Sequence, residues 1–315
     1  MLVLAIDSST PQLTVGIVQV SADSDAKLPT LHTRAQQTPV LNHGHMEQLV
    51  PLIQQCCAEA EINPQQLDAV VVGTGPGPFT GLRVGMATAA SFASALAISC
   101  HGVGSLDAIA FAAATQLELT QQYNQASQPQ PNRPLATITD ARRREVYLAG
   151  FYASDEPVAV LADDGANRTI ASHMRTIDPT VLKPDAAAEL LHSAFAAADA
   201  NTDASATASA TQQLLHLAGA PTQVEAVAQL LEATATATTN TTSTATQYPE
   251  PWALVVAALH QLGGSVSALQ GTAEPLVAQY LRRPDAVPPK PKPRSSALPP
   301  TDVVAKQISE LQGRE

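Results

Sequence analysis

The stretch LDAVVVGTGPGPFTGLRVG, at positions 67–85, joins a continuous apolar run to a loop rich in glycine and proline. Three consecutive valines without polar alternation are typical of a strand that helices cover on both faces. A segment with helical periodicity follows the loop, from Gly81 to Ala97. A buried strand, a stiff loop and a helix in this order predict an α/β layer.

Toward the N-terminus, apolar runs at 1–7 and 13–20 flank a polar turn and predict a β-hairpin. A third strand follows, and then an amphipathic helix at 44–60 that contains Pro51. After the stretch at 67–85, another short strand leads to a helix that Ser105 can cap. This β-β-β-α-β-α-β-α order is that of the mononucleotide domain of the actin, hexokinase and Hsp70 superfamily. We therefore predict an actin-like α/β fold of two β-α units, with mixed sheets covered by helices.

Shifts in composition divide the chain into parts. The insertion at 199–248 is rich in alanine and threonine, which bury little surface, so we predict disorder there with a short helix at 222–232. The tail at 284–315 is rich in proline and is predicted to be extended and mobile. The remaining predicted parts are an N-terminal domain at 1–104, its completing C-terminal helix at about 249–283, and a smaller second α/β domain at 105–198.

Charge and cysteine content exclude several classes of protein. The 315 residues include 17 Lys and Arg against 28 Asp and Glu, a net charge of −11. A chain this acidic does not hold nucleic acid by its overall charge. The three cysteines include no Cys-x-x-Cys pair, which argues against a disulfide scaffold and a zinc knuckle. Without a basic leader or a long apolar run, we expect a cytoplasmic protein that does not enter the membrane.

Two segments carry groups that can bind phosphate. Asp7 and the hydroxyls after it follow the first strand, where actin-like proteins hold a phosphate or its metal; a capped turn is the alternative. The glycine loop at 73–85 is either a stiff connector, with Thr80 capping the next helix, or an anion site at the helix N-terminus. The candidate phosphate-binding residues are Asp7, Ser8, Ser9, Gly75, Gly77 and Thr80.

Metal and nucleophile motifs are not evident. His43 and His45 are two residues apart, so they do not share a helix face, and no third ligand is near them in sequence. Three consecutive arginines, Arg142–Arg144, lie at a predicted hairpin turn. They form either a solvated surface or a binding site for an acidic partner or RNA phosphate.

Five segments together resemble the TsaB (YeaZ) family: AIDSST (5–10), LNHGHMEQLVPLI (41–53), GTGPGPFTGLRVG (73–85), DARRREVY (140–147) and EPLVAQYLRRPDA (274–286). The resemblance covers 1–198 and 249–286, and Pro78 replaces the serine that most members have. It implies a non-catalytic scaffold subunit in bacterial formation of N6-threonylcarbamoyladenosine at position 37 of tRNAs that read ANN codons. It also implies a heterodimer with the catalytic paralogue TsaD, a ternary complex with the ATPase TsaE, and TsaC in the same pathway. Alone, such proteins form homodimers, and they meet tRNA through the complex only.

The resemblance carries expectations about the site as well. The H-x-x-x-H metal pair of TsaD falls near Ser105 and Ile109, which cannot act as such ligands. No tightly bound cofactor is expected, and ATP or ADP is expected at most at the interface of the complex. The partner surface is expected on the two N-terminal-domain helices, and Gly85→Leu is expected to abolish TsaD binding while sparing the fold. The expected interface residues are Met46, Leu49, Val50, Ile53, Leu82, Gly85, Met86, Ala89 and Ala93.

Two enzymatic alternatives stay open. The chain could be an ATP-binding phosphotransferase of the actin-like superfamily, which would need Asp7, the glycine loop and a second carboxylate that the sequence does not identify. It could also be a metallopeptidase-like enzyme, as the older glycoprotease name of the wider family suggests. Tight ATP binding would favour the former, and bound metal the latter.

Overall fold

Ten strands form the sheet in the part of the chain that the computed structural model describes. The described residues are 1–22, 28–41, 44–123, 133–163, 166–196, 214–234, 240–244, 246–282, 302–304, 306 and 309. Met1–Arg282 form one unit, and Arg283–Glu315 form another, of which the five described positions are helical. No described helix is long and apolar enough to cross a bilayer.

The N-terminal half of the sheet has the strand order β3-β2-β1-β4-β5. The hairpin of β1 and β2 continues antiparallel into β3, whereas β4 and β5 run parallel to β1. The strands are β1 (Leu2–Asp7), β2 (Thr14–Ser21), β3 (Thr30–Gln37), β4 (Ala69–Gly73) and β5 (Ser99–Val103). The helices are α1 (His45–Glu59), α2 (Phe79–Leu96) and α3 (Ser105–Tyr123). A single 3-10 turn, Pro64–Gln66, precedes β4.

The C-terminal half repeats this topology. Two antiparallel neighbours precede two parallel ones, which gives the order β8-β7-β6-β9-β10. Its strands are β6 (Arg133–Asp140), β7 (Val146–Asp163), β8 (Ala166–Leu182), β9 (Leu214–Gly219) and β10 (Asn240–Ser243), and its helices are α4 (Pro184–Ala196) and α5 (Pro221–Thr234). The far end of β7 pairs with β3 and joins the halves. The repeated order confirms the predicted actin-like fold with two β-α units.

A buried helix near the C-terminus, α6 (Pro251–Gln261), completes the core of the N-terminal half. Every residue from Pro251 to Leu259 is buried, as expected for a helix that is apolar on all sides. It packs with residues of β1, β2 and α3 in one hydrophobic cluster. Gly16 in β2 lies against the Pro251 ring, where a Cβ would overlap it. A 3-10 turn, Val266–Gln270, and an extended segment follow.

The prediction of a disordered insertion at 199–248 is wrong for a large part of that range. Leu214–Gly219 pairs with β6 as β9, and Asn240–Ser243 adds β10 at the edge. Helix α5 confirms the helix predicted at 222–232, and it buries Val224, Val227 and Leu231 on the sheet. The high average content of alanine and threonine hid the apolar run LLHLAG, which forms β9. Threonine is also common in strands, so the threonine-rich segment can form the edge strand β10. Positions 199–213 and 235–239 lie outside the described residues.

Candidate functional site

The carboxylate of Asp7, at the end of β1, is completely buried and holds three parts of the chain together. Its Oδ1 accepts hydrogen bonds from the backbone N–H of Ser9 at 2.8 Å and from the Ser9 hydroxyl at 2.6 Å. Its Oδ2 accepts one from the Ser105 hydroxyl, on the first residue of α3, at 2.5 Å. The backbone N–H of Gly75 donates to the same Ser105 oxygen at 3.2 Å. Strand β1, the glycine loop and α3 therefore meet at this group.

Burial raises the pKa of Asp7 above its ordinary value, although the hydrogen bonds from Ser105 and Ser9 oppose the shift. Removing a carboxylate from water penalises its charged form. The bonds compensate for only part of that penalty. Burial of Asp7 therefore lowers the free energy of unfolding, and this loss increases with the fraction of Asp7 that is ionised.

The turn after Asp7 fills the space that the glycines leave open. A Cβ on Gly73 would overlap Asp7 Oδ2, one on Gly77 would overlap the Ser9 carbonyl oxygen, and one on Gly85 would overlap the Ser8 hydroxyl. The Ser8 hydroxyl donates to the Gly81 carbonyl oxygen at 2.8 Å. The absence of side chains at these positions is thus explained by close packing inside the protein.

The structure brings five of the six candidate phosphate-binding residues together and separates the sixth. Asp7, Ser8, Ser9, Gly75 and Gly77 are buried in this cluster, whereas Thr80 is exposed. Thr80 does not cap α2, because the helix begins two residues earlier than predicted, at Phe79, with Pro78 at the N-cap. Phosphate binding here stays a prediction; as folded, both oxygens of Asp7 are bonded to protein groups.

The predicted interface residues are mostly core residues, which corrects the expectation. The apolar stripes of α1 and α2 face the chain's own sheet, so their side chains have no surface left for a partner. Val50 is 42% exposed, Met86 is half-buried, and the side chain of Met46 lies outside what the structure describes. The residues buried within the chain are Leu49, Ile53, Leu82, Gly85, Ala89 and Ala93.

The opposite face of α2 is exposed and carries small side chains. Ala87, Ser91 and Ala95 recur every four residues along it. We call these three residues the outer face of α2. The Ser91 hydroxyl donates to the Ala87 carbonyl oxygen at 2.7 Å, so it stays close to the helix. Sequence reasoning missed this face because alanine and serine occur all around the helix.

A partly buried ion pair between Asp107 of α3 and Arg175 of β8 was also missed. Arg175 Nη2 donates to Asp107 Oδ1 and Oδ2 at 2.5 Å each, and Nε donates to Oδ1 at 3.2 Å. Burial raises the pKa of Asp107, but the neighbouring His173 and the hydrogen bonds and charge of Arg175 outweigh it and hold that pKa below its usual value. The partners are 68 residues apart in sequence, so no local spacing could have indicated the pair.

A strap without regular secondary structure, residues 279–282, links the glycine loop to the turn between β6 and β7. The Gln279 N–H donates to the Thr74 carbonyl oxygen at 2.8 Å. Arg83 Nε donates to the Tyr280 hydroxyl at 2.9 Å, and its guanidinium lies 3.8 Å from the centre of the Phe79 ring. Arg282 Nη1 donates to the Ala141 carbonyl oxygen at 2.9 Å. The two halves are therefore connected close to the N-terminus of α2.

Comparison with known proteins assigns the chain to a family. A family model described as TsaD, tRNA N6-adenosine threonylcarbamoyltransferase, matches residues 38–289. The chain belongs to this TsaD family. TsaB from Bacillus subtilis, a tRNA threonylcarbamoyladenosine biosynthesis protein, is 29% identical over 152 residues, which are 48% of this chain and 55% of that one.

Two further proteins resemble the chain. An uncharacterized protein from Mycobacterium leprae is 42% identical over 150 residues, 48% of this chain and 35% of that one. The structure of YeaZ from Pseudomonas aeruginosa is 20% identical and covers 87% of this chain and 99% of its own, with a TM-score of 0.47. The chain spans between 35% and 55% of the length of the M. leprae and B. subtilis relatives.

Ser105 and Ile109, near which the resemblance places the histidine pair of TsaD, are buried in α3. Ser105 is 1% exposed and bonded to Asp7, and Ile109 is 0% exposed in an apolar cluster. Across the described ranges, no three His, Cys, Asp or Glu side chains are arranged to hold a metal. His43 and the side chain of His45 lie outside the described residues.

Substitution of Gly85 by alanine tests the packing of the glycine loop. Helix propensity alone would stabilise the variant by about 1 kcal/mol. The new methyl group would displace the Ser8 hydroxyl, so we expect a net loss of about 1–3 kcal/mol in the free energy of unfolding. Urea denaturation measures this, with Ala95→Ser on the exposed face as a control within about 0.5 kcal/mol of wild type. A variant at least as stable as wild type would contradict the packing. For the same reason, loss of binding in Gly85→Leu would not identify an interface.

Asp7→Asn tests the electrostatic cost of the buried carboxylate. Because the folded-state pKa of Asp7 is raised, wild type is stabilised by this group below its ordinary pKa of about 3.9, and it loses that contribution as pH rises through the folded pKa. The variant lacks this titration and can still bond Ser9 and Ser105. Its stability relative to wild type should therefore increase with pH, by at most about 1.4 kcal/mol per unit. Urea denaturation from pH 4 to pH 8 measures the difference.

The surface variant Asp178→Asn serves as the comparison, since the Asp178 side chain is 92% exposed. A stability difference between Asp7→Asn and wild type that does not change with pH would show that Asp7 is not penalised by burial.

Proposed function

We propose that the chain is a non-catalytic scaffold subunit in the formation of N6-threonylcarbamoyladenosine at position 37 of tRNA, where it binds and stabilises TsaD. The burial of Ser105 and Ile109 carries the proposal, because the resemblance places the metal-binding histidines of the catalytic paralogue near these two residues. Family membership supplies the pathway. The packed turn after Asp7 supports the same role, since a protein network occupies the place where an actin-like enzyme would hold phosphate.

The outer face of α2 is the surface we assign to TsaD. Its small side chains allow a helix of the partner to approach closely, since the distance between packed helices depends on the side chains at the contact. On α1, Val50 is an exposed apolar residue that the predicted partner surface also includes. In the absence of TsaD, the same surface would serve the homodimer.

The other proposed components act through this complex. TsaE would join the heterodimer, TsaC would supply the threonylcarbamoyl adenylate, and tRNA would be met through the complex in the cytoplasm. ATP or ADP would bind at the interface of the complex, because the oxygens of Asp7 are already bonded within the chain.

Reconstituted tRNA threonylcarbamoylation tests the function. TsaC, TsaD and TsaE from the same organism are assayed with and without this chain, and we expect modification to require it and the chain alone to be inactive. Equal modification in its absence would overturn the proposal, and ATP binding and metal content of the isolated chain would then test the two enzymatic alternatives.

Ala87→Arg tests the outer face of α2. A long charged side chain there should lower TsaD affinity by at least about ten-fold while the melting temperature stays unchanged, because Ala87 makes no core contact. Binding is measured by calorimetry with purified TsaD. The matched control is Ala233→Arg, the same substitution at an exposed position of α5. Wild-type affinity in Ala87→Arg would remove this face from the proposal.

A further inference from the structure

The turn between β6 and β7 presents three consecutive arginines in an unusual backbone conformation. Arg142, Arg143 and Arg144 have φ values of 61°, 52° and 62°, all in the left-handed region, and all three are exposed. Residues with side chains enter this region rarely and unfavourably, and such conformations cluster at binding sites. Simple chain reversal does not require three of them in succession.

The turn is held rigidly by its neighbours. Asp140 Oδ1 accepts a hydrogen bond from the Arg142 N–H at 2.8 Å, and the Ala141 and Glu145 backbones bond across the turn. From the strap, Arg282 donates to the Ala141 carbonyl oxygen and pairs with Glu145 Oε2 at 3.1 Å. Asp140 and Glu145 thus support the turn and Arg282, and the three arginines are exposed on a turn fixed by these bonds.

The charge of this turn is opposite to that of the whole protein. With a net charge of −11, the chain repels a polyanion except where positive charge is concentrated. Guanidinium groups match phosphate oxygens in two-bond geometry. Side chains of adjacent residues in a helical turn diverge, so the three arginines are better suited to successive phosphates of a chain than to one carboxylate patch.

We propose that the Arg142–Arg144 turn binds phosphates of the RNA backbone, in a tRNA that the complex of the proposed function holds. The strap supports this location, since it connects the turn through Arg282 and Tyr280 to Arg83 in the first turns of α2. Arg83 precedes Ala87 of the outer face of α2 by four residues, about one helical turn, so the strap connects the arginine turn to the start of the surface assigned to TsaD.

The variant Arg142→Asn/Arg144→Asn tests the site. Asparagine tolerates the left-handed conformation, so the turn should be retained while two positive charges are removed. In fluorescence anisotropy with the TsaD complex, we expect tRNA affinity to fall about ten-fold and the log–log salt slope to decrease by about 1.4–1.8, for two lost phosphate contacts. The KM for tRNA should rise while kcat is unchanged. Arg34→Glu, at an exposed position of β3, changes the net charge equally and should have no such effect.

The other possible results of this experiment each contradict one specific claim. Unchanged tRNA affinity and salt slope in a variant that still binds TsaD would overturn the RNA site alone. Loss of TsaD binding by the double variant would show that the turn contacts an acidic protein surface instead. Failure of the wild-type chain to bind TsaD would overturn the proposed function and this inference with it. A double variant with a lowered melting temperature is replaced by Arg142→Gln/Arg144→Gln, which removes the same two charges, and wild-type tRNA affinity and salt slope there would also contradict the site.

Discussion

The hydrogen bond from Ser105 to the buried carboxylate of Asp7 is the contact on which the N-terminal half depends. It joins the end of β1 to the start of α3, and the N–H of Gly75 extends it to the glycine loop. The turn after Asp7 must then pass between α2 and the sheet, which is why side chains are absent at Gly73, Gly77 and Gly85. A motif typical of phosphate binding is here part of a packed protein interior.

The repeated topology places two hairpin turns in equivalent positions, and the halves use them differently. In the first half, the turn after β1 follows Asp7 with serines and is buried. In the second half, the turn after β6 follows Asp140 with arginines and is exposed. Both aspartates accept a backbone hydrogen bond from a residue two positions later. The same local hydrogen bond, from a backbone N–H to the aspartate two residues earlier, therefore supports a packed turn in one half and an exposed, positively charged turn in the other.

Local pattern predicted the fold better than it predicted the surfaces. Strands and helices have different periodicities of apolar residues. The order of elements was therefore predictable from the apolar run of β4 and from the helical periodicity of α1 and α2. The same periodicity could not separate an interface from a core, so Leu49 and Ala89 were assigned to a partner when they face their own sheet. Averaged composition concealed β9, and the Asp107–Arg175 pair depends on contacts between distant segments.

Helix α6 supplies the central apolar face of the N-terminal core, yet it lies near the C-terminal end of the chain. During synthesis, Val3, Val18 and their neighbours are made long before the helix that covers them. Until α6 is made, only α3 can cover this face of the N-terminal sheet, so the face is completed only after most of the second half has been translated. Exposed apolar surface of this kind is prone to aggregation, so folding of the two halves is coupled in time as well as in space.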